Sequence, residues 1–440
     1  MRKLFGTDGV RGPVGEIVTP QLALALGTAA TRRAVAGGVE RPQMLVVRDT
    51  RESGGMLEAA LAAGVAAAGG DTLLGGVVPT AAAPLLIRHH GFDLAAVISA
   101  SHNPYRDNGI KFFGGDGLKL SDEAEAEIES ELGAADPPVG RPGQVRDLHG
   151  CRDDYLRALQ GRFGALDLSR LDVVLDCANG AAYRAAPEIF QRLGATVTAL
   201  AAQPDGRNIN AGCGSTHVET LLAAMAAGGH DVGFAFDGDA DRVLAVDRTR
   251  AVVDGDELLA LAARHLQAAQ RLPGAGVVVT VMTNYGFHAA MAEAGIEVAT
   301  TPVGDRYVLE ELIARGWALG GEQSGHIIEL GFVPSGDGIA AALLALEALG
   351  GGDLSQRVPM TKLPQRLVNV RVGRREGVLE APAVEEAVER ESAALRGRGR
   401  VLVRASGTEP VVRVMAEAPT GEEAEAACRR LAAAVEAAGG

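Results

Sequence analysis

Short apolar runs at 44–48, 72–78 and 94–99 alternate with stretches at 56–68 and 81–89 whose apolar positions recur every three or four residues. Continuous or period-two apolar runs bounded by Gly, Pro and Asp predict strands, and the longer recurrence predicts helices, so the first segment reads as a succession of βαβ units. The pattern restarts at 171–177, passes through a helix near 181–193 and reaches the run Asp231-Val232-Gly233-Phe234-Ala235-Phe236. It restarts again at 276–281, with helices near 286–294 and 307–315. A shorter fourth unit carries strands at 367–372, 401–404 and 411–416 and a final helix over 421–438, which Gly439 and Gly440 end. Prolines at 137, 138 and 142 mark a linker over 134–145, and those at 359 and 364 mark another over 358–364. The domains expected are 1–150, 151–254, 255–365 and 366–440. The first three, each of α/β type and each ending in strand-loop-strand, read as structural repeats.

Each unit places one polar loop between two apolar strands, and the four loops differ in chemistry. In Asp237-Gly238-Asp239-Ala240-Asp241-Arg242 the carboxylates stand at alternate positions, so an extended backbone turns all three to one side. They repel unless a cation sits between them, and oxygen-only ligands suit a hard divalent ion such as Mg2+. An EF-hand starts with the same spacing but needs Gly and Glu where Arg242 and Arg248 stand, so calcium-loop geometry is excluded; a solvated acidic turn is the plainer alternative. Ser101, in Ala100-Ser101-His102-Asn103-Pro104, follows an apolar strand and is expected on an exposed turn, as a nucleophile with His102 and Lys111 nearby to activate it or as part of a capped turn. No Gly-x-Ser-x-Gly elbow surrounds it. Lys111, between Ile110 and Phe112, is either a proton-transfer group whose pKa its apolar walls lower, or a snorkelling surface lysine.

Arg404-Ala405-Ser406-Gly407-Thr408-Glu409-Pro410, with Arg413 on the next strand, gathers guanidinium, hydroxyl and backbone N–H donors suited to a phosphate, or forms a polar hairpin. Glu322 and Ser324, in Gly321-Glu322-Gln323-Ser324-Gly325-His326, offer an acceptor and a donor–acceptor that would grip vicinal sugar hydroxyls, or lie in a plain turn.

A formal charge of −14 argues against nucleic acid or an anionic membrane as main partner, so an anionic ligand requires a local basic pocket. Cys151, Cys177, Cys213 and Cys428 lack metal-site spacing and are expected to be reduced thiols. The first residues have no signal-like apolar core and no apolar stretch is of spanning length, so the expected location is the cytoplasm. Arginine carries most of the positive charge; lysine occurs only at 3, 111, 119 and 362.

Taken in order, the four loops resemble those of the α-D-phosphohexomutase superfamily over essentially the whole chain. The opening Phe5-Gly6-Thr7-Asp8-Gly9-Val10-Arg11-Gly12, the runs Ile98-Ser99-Ala100-Ser101-His102-Asn103-Pro104 and Asp107-Asn108-Gly109-Ile110-Lys111-Phe112-Phe113, and Val303-Gly304-Asp305-Arg306-Tyr307 add to the likeness. The resemblance implies three similar α/β mixed-sheet domains followed by a smaller α+β C-terminal domain, around a central active-site cleft. It implies that Ser101 is carried as phosphoserine, with Mg2+ held by its phosphate and by Asp237, Asp239 and Asp241. Glu322 and Ser324 would hold sugar hydroxyls, and Arg404, Ser406, Gly407, Thr408 and Arg413 the non-reacting phosphate. Arg11 and Arg242 would lie near the phosphoserine, Lys111 would transfer protons, and His102 and His326 also match motif positions.

The implied reaction interconverts glucosamine 6-phosphate and glucosamine 1-phosphate through a 1,6-bisphosphate, toward UDP-N-acetylglucosamine and cell-wall precursors. A hexosamine or glucose 1,6-bisphosphate would be the activator and a homodimer a candidate assembly. The rivals are a phosphomannomutase or phosphoglucomutase, a non-catalytic sugar-phosphate sensor, and a phosphatase using the same nucleophile. Ala240 departs from the pattern, since glycine is common there; if the position requires positive φ, the alanine costs about 1 kcal/mol.

Overall fold

A computed structural model describes residues 4–6, 8–133, 141–357, 359–373, 377–405 and 411–439. Met1–Val281 with Val298–Arg357 form one compact unit, and Met282–Glu297 with Val358–Gly440 form a second. The first sheet contains β1 (Val10–Pro13), β2 (Gln43–Arg48), β3 (Asp71–Val77), β4 (Leu94–Ile98), β5 (Asp107–Gly114) and β6 (Val145–Asp147), in the order β1-β5-β4-β2-β3-β6. β2 lies parallel to β3 and β4, and β3 to β6, whereas β5 runs antiparallel to β1 and β4. Parallel neighbours need crossovers, supplied by helices Gly54–Ala67 and Ala82–His90, which bury every residue of β4. Helix Gly54–Ala67 also crosses Pro20–Ala36 at backbone distance: a Cβ on Gly64 would stand 2.0 Å from the Leu24 carbonyl oxygen, so only glycine fits there.

The second sheet, β7 (Asp172–Asp176), β8 (Thr196–Leu200), β9 (Val232–Phe236), β10 (Val243–Asp247) and β11 (Val252–Val253), repeats the scheme in the order β11-β10-β9-β7-β8. β7 is parallel to β8 and β9, and β10 antiparallel to β9. The third sheet, β12 (Gly276–Thr280), β13 (Glu297–Thr301), β14 (Leu319–Gly321) and β15 (Ile327–Glu329), has β12 parallel to β14 and β15 antiparallel to β14. The fold is therefore α/β with three mixed sheets and, in the second unit, a smaller antiparallel sheet, β16 (Gln365–Arg371), β17 (Arg400–Ala405) and β18 (Val411–Glu417), in the order β16-β18-β17. Helices Pro382–Ala394 and Gly421–Gly439 cover that sheet around a core of Val412, Val414, Leu431 and Val435.

One local device recurs. Each sheet contains an antiparallel hairpin, β4–β5, β9–β10, β14–β15 and β17–β18, and the connections of these hairpins hold the four polar loops. The expected strands are found within a few residues of their bounds. Helix Pro20–Ala36 and helix Gly338–Ala348 are not signalled by the pattern, because alanine on both faces of the first blunts the helical period and the second is buried all round from Gly338 to Leu346, with no polar face to mark it. Helix Asp305–Arg315 starts two residues before its expected position, since Gly304, at φ 136°, turns the chain so that Asp305 falls in the first turn. Of the expected 134–145 linker, 134–140 lie outside the described residues, and Val145 opens β6.

All four cysteines are buried and free, and burial pushes the Cys151 and Cys213 thiols up to about 11. Among the described residues no helix is long and apolar enough to cross a membrane.

Within the second unit, helix Tyr285–Glu293 is fixed at its start. The Asn284 side chain accepts from Gly286 N at 3.0 Å and exchanges two hydrogen bonds with the Leu363 backbone, and Tyr285 N donates to Glu417 at 2.7 Å. Buried Glu417 is paired with Arg400 at 2.8 Å. One turn into the helix, burial and then the nearby Arg400 charge lower the His288 pKa from 6.5 to about 4. The folded state thus favours neutral His288, and that contribution is intact above pH 6.5 and lost as pH falls toward 4. Equilibrium unfolding across this range is expected to show the stability of wild type falling by about 2–3 kcal/mol relative to His288→Gln. A pH-independent difference between the two proteins would contradict the assignment.

Candidate active site

Ser101 lies just beyond β4. Its backbone is left-handed, at φ 50°, an uncommon conformation for a residue with a Cβ, and such strain persists only where the surroundings hold it. Arg51, wholly buried, does the holding: its guanidinium donates to the carbonyls of Ser101 (2.9 Å), Asn103 (2.8 Å) and Asp107 (3.0 Å), and also to Pro104. Asp49 aligns it through Arg51 Nε at 2.9 Å and also accepts from the Ser99 hydroxyl at 2.7 Å. Asn210 donates to the same Ser101 carbonyl at 2.9 Å. Contrary to the exposed turn expected, Ser101 is buried, because the aspartate loop lies against it: Ser101 Oγ donates to Asp237 Oδ2 at 2.5 Å. His102 Nδ1 stands 3.2 Å from the same hydroxyl, and burial followed by the Arg242 and Arg11 charges lowers its pKa.

The aspartate loop joins β9 to β10. It is a turn rather than the extended segment expected, with Ala240 at φ 60°, so the condition under which alanine is costly here is met. Gly238 is required by contact: a Cβ there would lie 2.5 Å from the Ser101 carbonyl oxygen. Asp237, Asp239 and Asp241 are all buried, and each offers a carboxylate oxygen within 4.8 Å of the others. Asp239 Oδ2 accepts from Thr80 Oγ1 at 2.7 Å and Lys111 Nζ at 3.0 Å, while Asp239 Oδ1 and Asp241 Oδ1 have no hydrogen-bond partner. Orphaned carboxylate oxygens in a buried cluster leave acceptor capacity unfilled. A hard cation fits that donor set, so these residues could hold a metal ion. Burial and the other two carboxylates push Asp237 well above the usual range; Asp239, though equally buried, is pulled below it by Lys111 and Arg11.

Lys111, on β5, corrects one expectation. Burial alone would lower its pKa, but Asp239, Asp8 and Asp241, at 3.0, 3.8 and 3.6 Å, outweigh burial and raise it. Lys111 is a buried cation rather than a neutral amine. Arg11, on β1, pairs with Asp8. Arg242 reaches His102 Nδ1 at 3.3 Å and Asp241 at 3.8 Å. The structure thus brings Ser101, His102, Lys111, Arg11, Arg242 and the three aspartates into one cluster.

The loop between β14 and β15 is tied to the aspartate hairpin, with Val243 N donating to the Gly325 carbonyl at 3.1 Å. A Cβ on Gly325, at φ 89°, would come 2.0 Å from the Val243 carbonyl oxygen. Glu322 is buried and accepts from Gly304 N at 3.1 Å; Ser324 is exposed. His326 is buried, 3.5 Å from Asp305 and 3.9 Å from Asp241, with neither ring nitrogen hydrogen-bonded. In the second unit, Arg404 and Arg413 are direct cross-strand partners on β17 and β18. Ser406, Gly407 and Thr408 lie outside the described residues.

Pattern reading missed Asp49, Arg51, Thr80, Asn210 and Lys119 as parts of the site, since each reaches it from another segment. The only signal was that Lys119 is one of the chain's four lysines.

A hydroxyl among carboxylates, lysine and arginines in repeated α/β domains defines a class that matches known proteins along the whole chain. Models of the phosphoglucomutase/phosphomannomutase family match as alpha/beta/alpha domain I at 2–138, domain II at 153–250, domain III at 254–366 and the C-terminal domain at 367–434. The chain belongs to this family. Among its curated relatives, phosphoglucosamine mutase of Moorella thermoacetica is 50% identical over 433 residues, 97% of each chain, and that of Pseudomonas fluorescens 48% identical over 440 residues, 98% of each. A phosphoglucomutase/phosphomannomutase family protein from Burkholderia thailandensis superposes with a TM-score of 0.82 at 25% identity, covering 100% of this chain and 98% of that one. N-acetylphosphoglucosamine mutase of Aspergillus fumigatus, solved with GlcNAc-6P and magnesium, shares the fold at a TM-score of 0.71 and 20% identity, over 100% of this chain and 96% of that one.

Two substitutions test the scaffold in urea unfolding. Ala240→Gly relieves the left-handed alanine and should stabilise by about 1 kcal/mol. Arg51→Met leaves Asp49 buried without its partner and should destabilise by about 3–5 kcal/mol, part of which Asp49→Asn in the same chain restores. An unchanged midpoint in Arg51→Met would show that the clamp is not structural.

Proposed function

We propose that this protein is a phosphoglucosamine mutase, converting glucosamine 6-phosphate to glucosamine 1-phosphate and back, upstream of UDP-N-acetylglucosamine and cell-wall precursors. The observation that carries the reading is the Ser101 hydroxyl 2.5 Å from Asp237, within a buried triad of aspartates that retains unfilled acceptor oxygens. The relatives near 50% identity that bear this name support the choice of sugar.

Ser101 carries the phosphoryl group. In the forward half-reaction the bond between phosphorus and Ser101 Oγ breaks while a bond to the free sugar hydroxyl forms, giving the 1,6-bisphosphate. After the intermediate reorients, its other phosphate returns to Ser101. Lys111, a buried cation, neutralises charge beside the serine and gives a proton to the departing Ser101 Oγ, and the amine so formed takes up the proton that the attacking sugar hydroxyl releases, so the transfer is proton-neutral in either direction. Arg11 and Arg242 add positive charge near the transferring group, which is what phosphoryl transfer most needs. Mg2+, with Asp237, Asp239, Asp241 and the phosphate on Ser101 as ligands, would supply charge neutralisation on the phosphoryl oxygens.

Glu322, Ser324 and His326 bind the sugar, and His102 lines the nucleophile. Arg404 and Arg413, with Ser406, Gly407 and Thr408, grip the phosphate that is not reacting. A hexosamine or glucose 1,6-bisphosphate loads Ser101. A cytoplasmic location, a homodimer and domain limits at 150, 254 and 365 belong to the same reading.

Intact mass and a coupled assay test it together. Wild type should carry one phosphoryl group that Ser101→Ala lacks, and the variant should lose at least about a thousandfold in kcat/KM. Turnover of mannose or glucose phosphate far above that of glucosamine phosphate would remove the substrate assignment. Steady release of inorganic phosphate without isomerisation would indicate a phosphatase.

A further inference from the structure

The proposed reaction leaves open which group recognises the amino substituent that separates glucosamine from glucose. At neutral pH that amine is largely an ammonium ion, so recognition calls for a fixed carboxylate beside the sugar-binding loop. The carboxylates around the site are mostly committed. Asp237, Asp239 and Asp241 form the candidate metal cluster, and Asp8 is surrounded by Arg11, Lys111 and Lys119. Glu322 already accepts from Gly304 N and is assigned to hydroxyls.

Asp305 differs. It is the residue next to Gly304, so the Glu322 bond fixes its position relative to the sugar loop, and its Oδ2 faces His326 Nε2 at 3.5 Å. The carboxylate is oriented before any ligand arrives: Oδ1 accepts from Arg306 N at 2.8 Å, and the buried Arg306 side chain is anchored by Glu125 at 2.9 Å and by Asp122. Its side chain keeps 14% exposure, more than its neighbour His326 at 3%, so it is reachable. Its cationic partner Lys119 also pairs with Asp8, so Asp305 shares that lysine rather than holding it alone.

We infer that Asp305 is the specificity-determining residue that binds the 2-ammonium group of glucosamine phosphate, an assignment that rests on the proposed function. Held by Arg306 and poised between Glu322 and His326, Asp305 favours a cationic substituent over a hydroxyl at this position. A site built around a charge-assisted hydrogen bond discriminates against ligands that lack the charge.

The readout is the ratio of kcat/KM for glucosamine 6-phosphate to that for glucose 6-phosphate. In Asp305→Asn this ratio should fall by about tenfold or more. A ratio that stays within about twofold of wild type, whatever happens to the absolute rates, overturns the inference, because a merely structural role lowers both substrates together. Circular dichroism checks that the variant is folded.

A second measurement needs no variant. Raising the pH of wild-type assays from about 7 to about 9 deprotonates the substrate amine, whose pKa should lie near that of an α-amino group. Asp305 faces Lys119 and His326, with Asp8 and Asp241 beyond them, whichever sugar is assayed, and glucosamine phosphate alone carries the amine, so the ratio should decline with pH; a constant ratio also overturns the inference. Wild type that fails to turn over glucosamine phosphate, while remaining active on glucose phosphate, would instead defeat the functional reading itself and the inference with it.

Discussion

Three carboxylates buried together beside a serine hydroxyl set the central constraint on the first unit. Desolvated anions at this spacing repel one another and lack the water that would screen them. The chain surrounds them with fixed cations: Lys111 from β5, Arg11 from β1 and Arg242 from the loop itself. Even so, Asp239 Oδ1 and Asp241 Oδ1 remain without hydrogen-bond donors, which leaves acceptor capacity that a hard cation would fit. The same arrangement that is costly to the fold is what the proposed phosphoryl transfer calls on.

The scaffold meets this constraint with backbone geometry. Two antiparallel hairpins present the serine and the aspartates to each other, and both connections pass through left-handed residues, Ser101 and Ala240. Strain of that kind has to be balanced elsewhere, and the Arg51–Asp49 pair balances it by gripping the carbonyls of the serine loop. Gly238 completes the fit, because any side chain there would collide with the Ser101 carbonyl. The Ser101 loop is therefore held by groups outside the aspartate cluster.

A second layer of charge lies behind the loop between β14 and β15. Lys119 bridges Asp8 and Asp305, and Arg306 bridges Asp122 and Glu125, so segments from the first and third family domains share one network of ion pairs. Pairs of this sort add little net stability, and what they supply is a fixed placement of the groups they join. Such fixed geometry is what discrimination between two similar sugars demands.

The sequence alone was sufficient for the α/β class, the repeated units and the four polar loops, among them those that carry Ser101 and the three aspartates the structure brings together. Those features are local: apolar period, turn residues and the spacing of like groups are properties of a dozen neighbouring positions. Tertiary structure decided what burial and distant contacts control. It placed Ser101 against Asp237 rather than in solvent, and it raised the Lys111 pKa that apolar walls alone would lower, because Asp8, Asp239 and Asp241 arrive from other strands and loops. It also recruited Arg51, Thr80, Asn210 and Lys119, none of which sits in a motif. Electrostatic environment depends on through-space distance, and only folding brings residues more than a hundred positions apart, such as Lys111 and Asp239, to 3.0 Å.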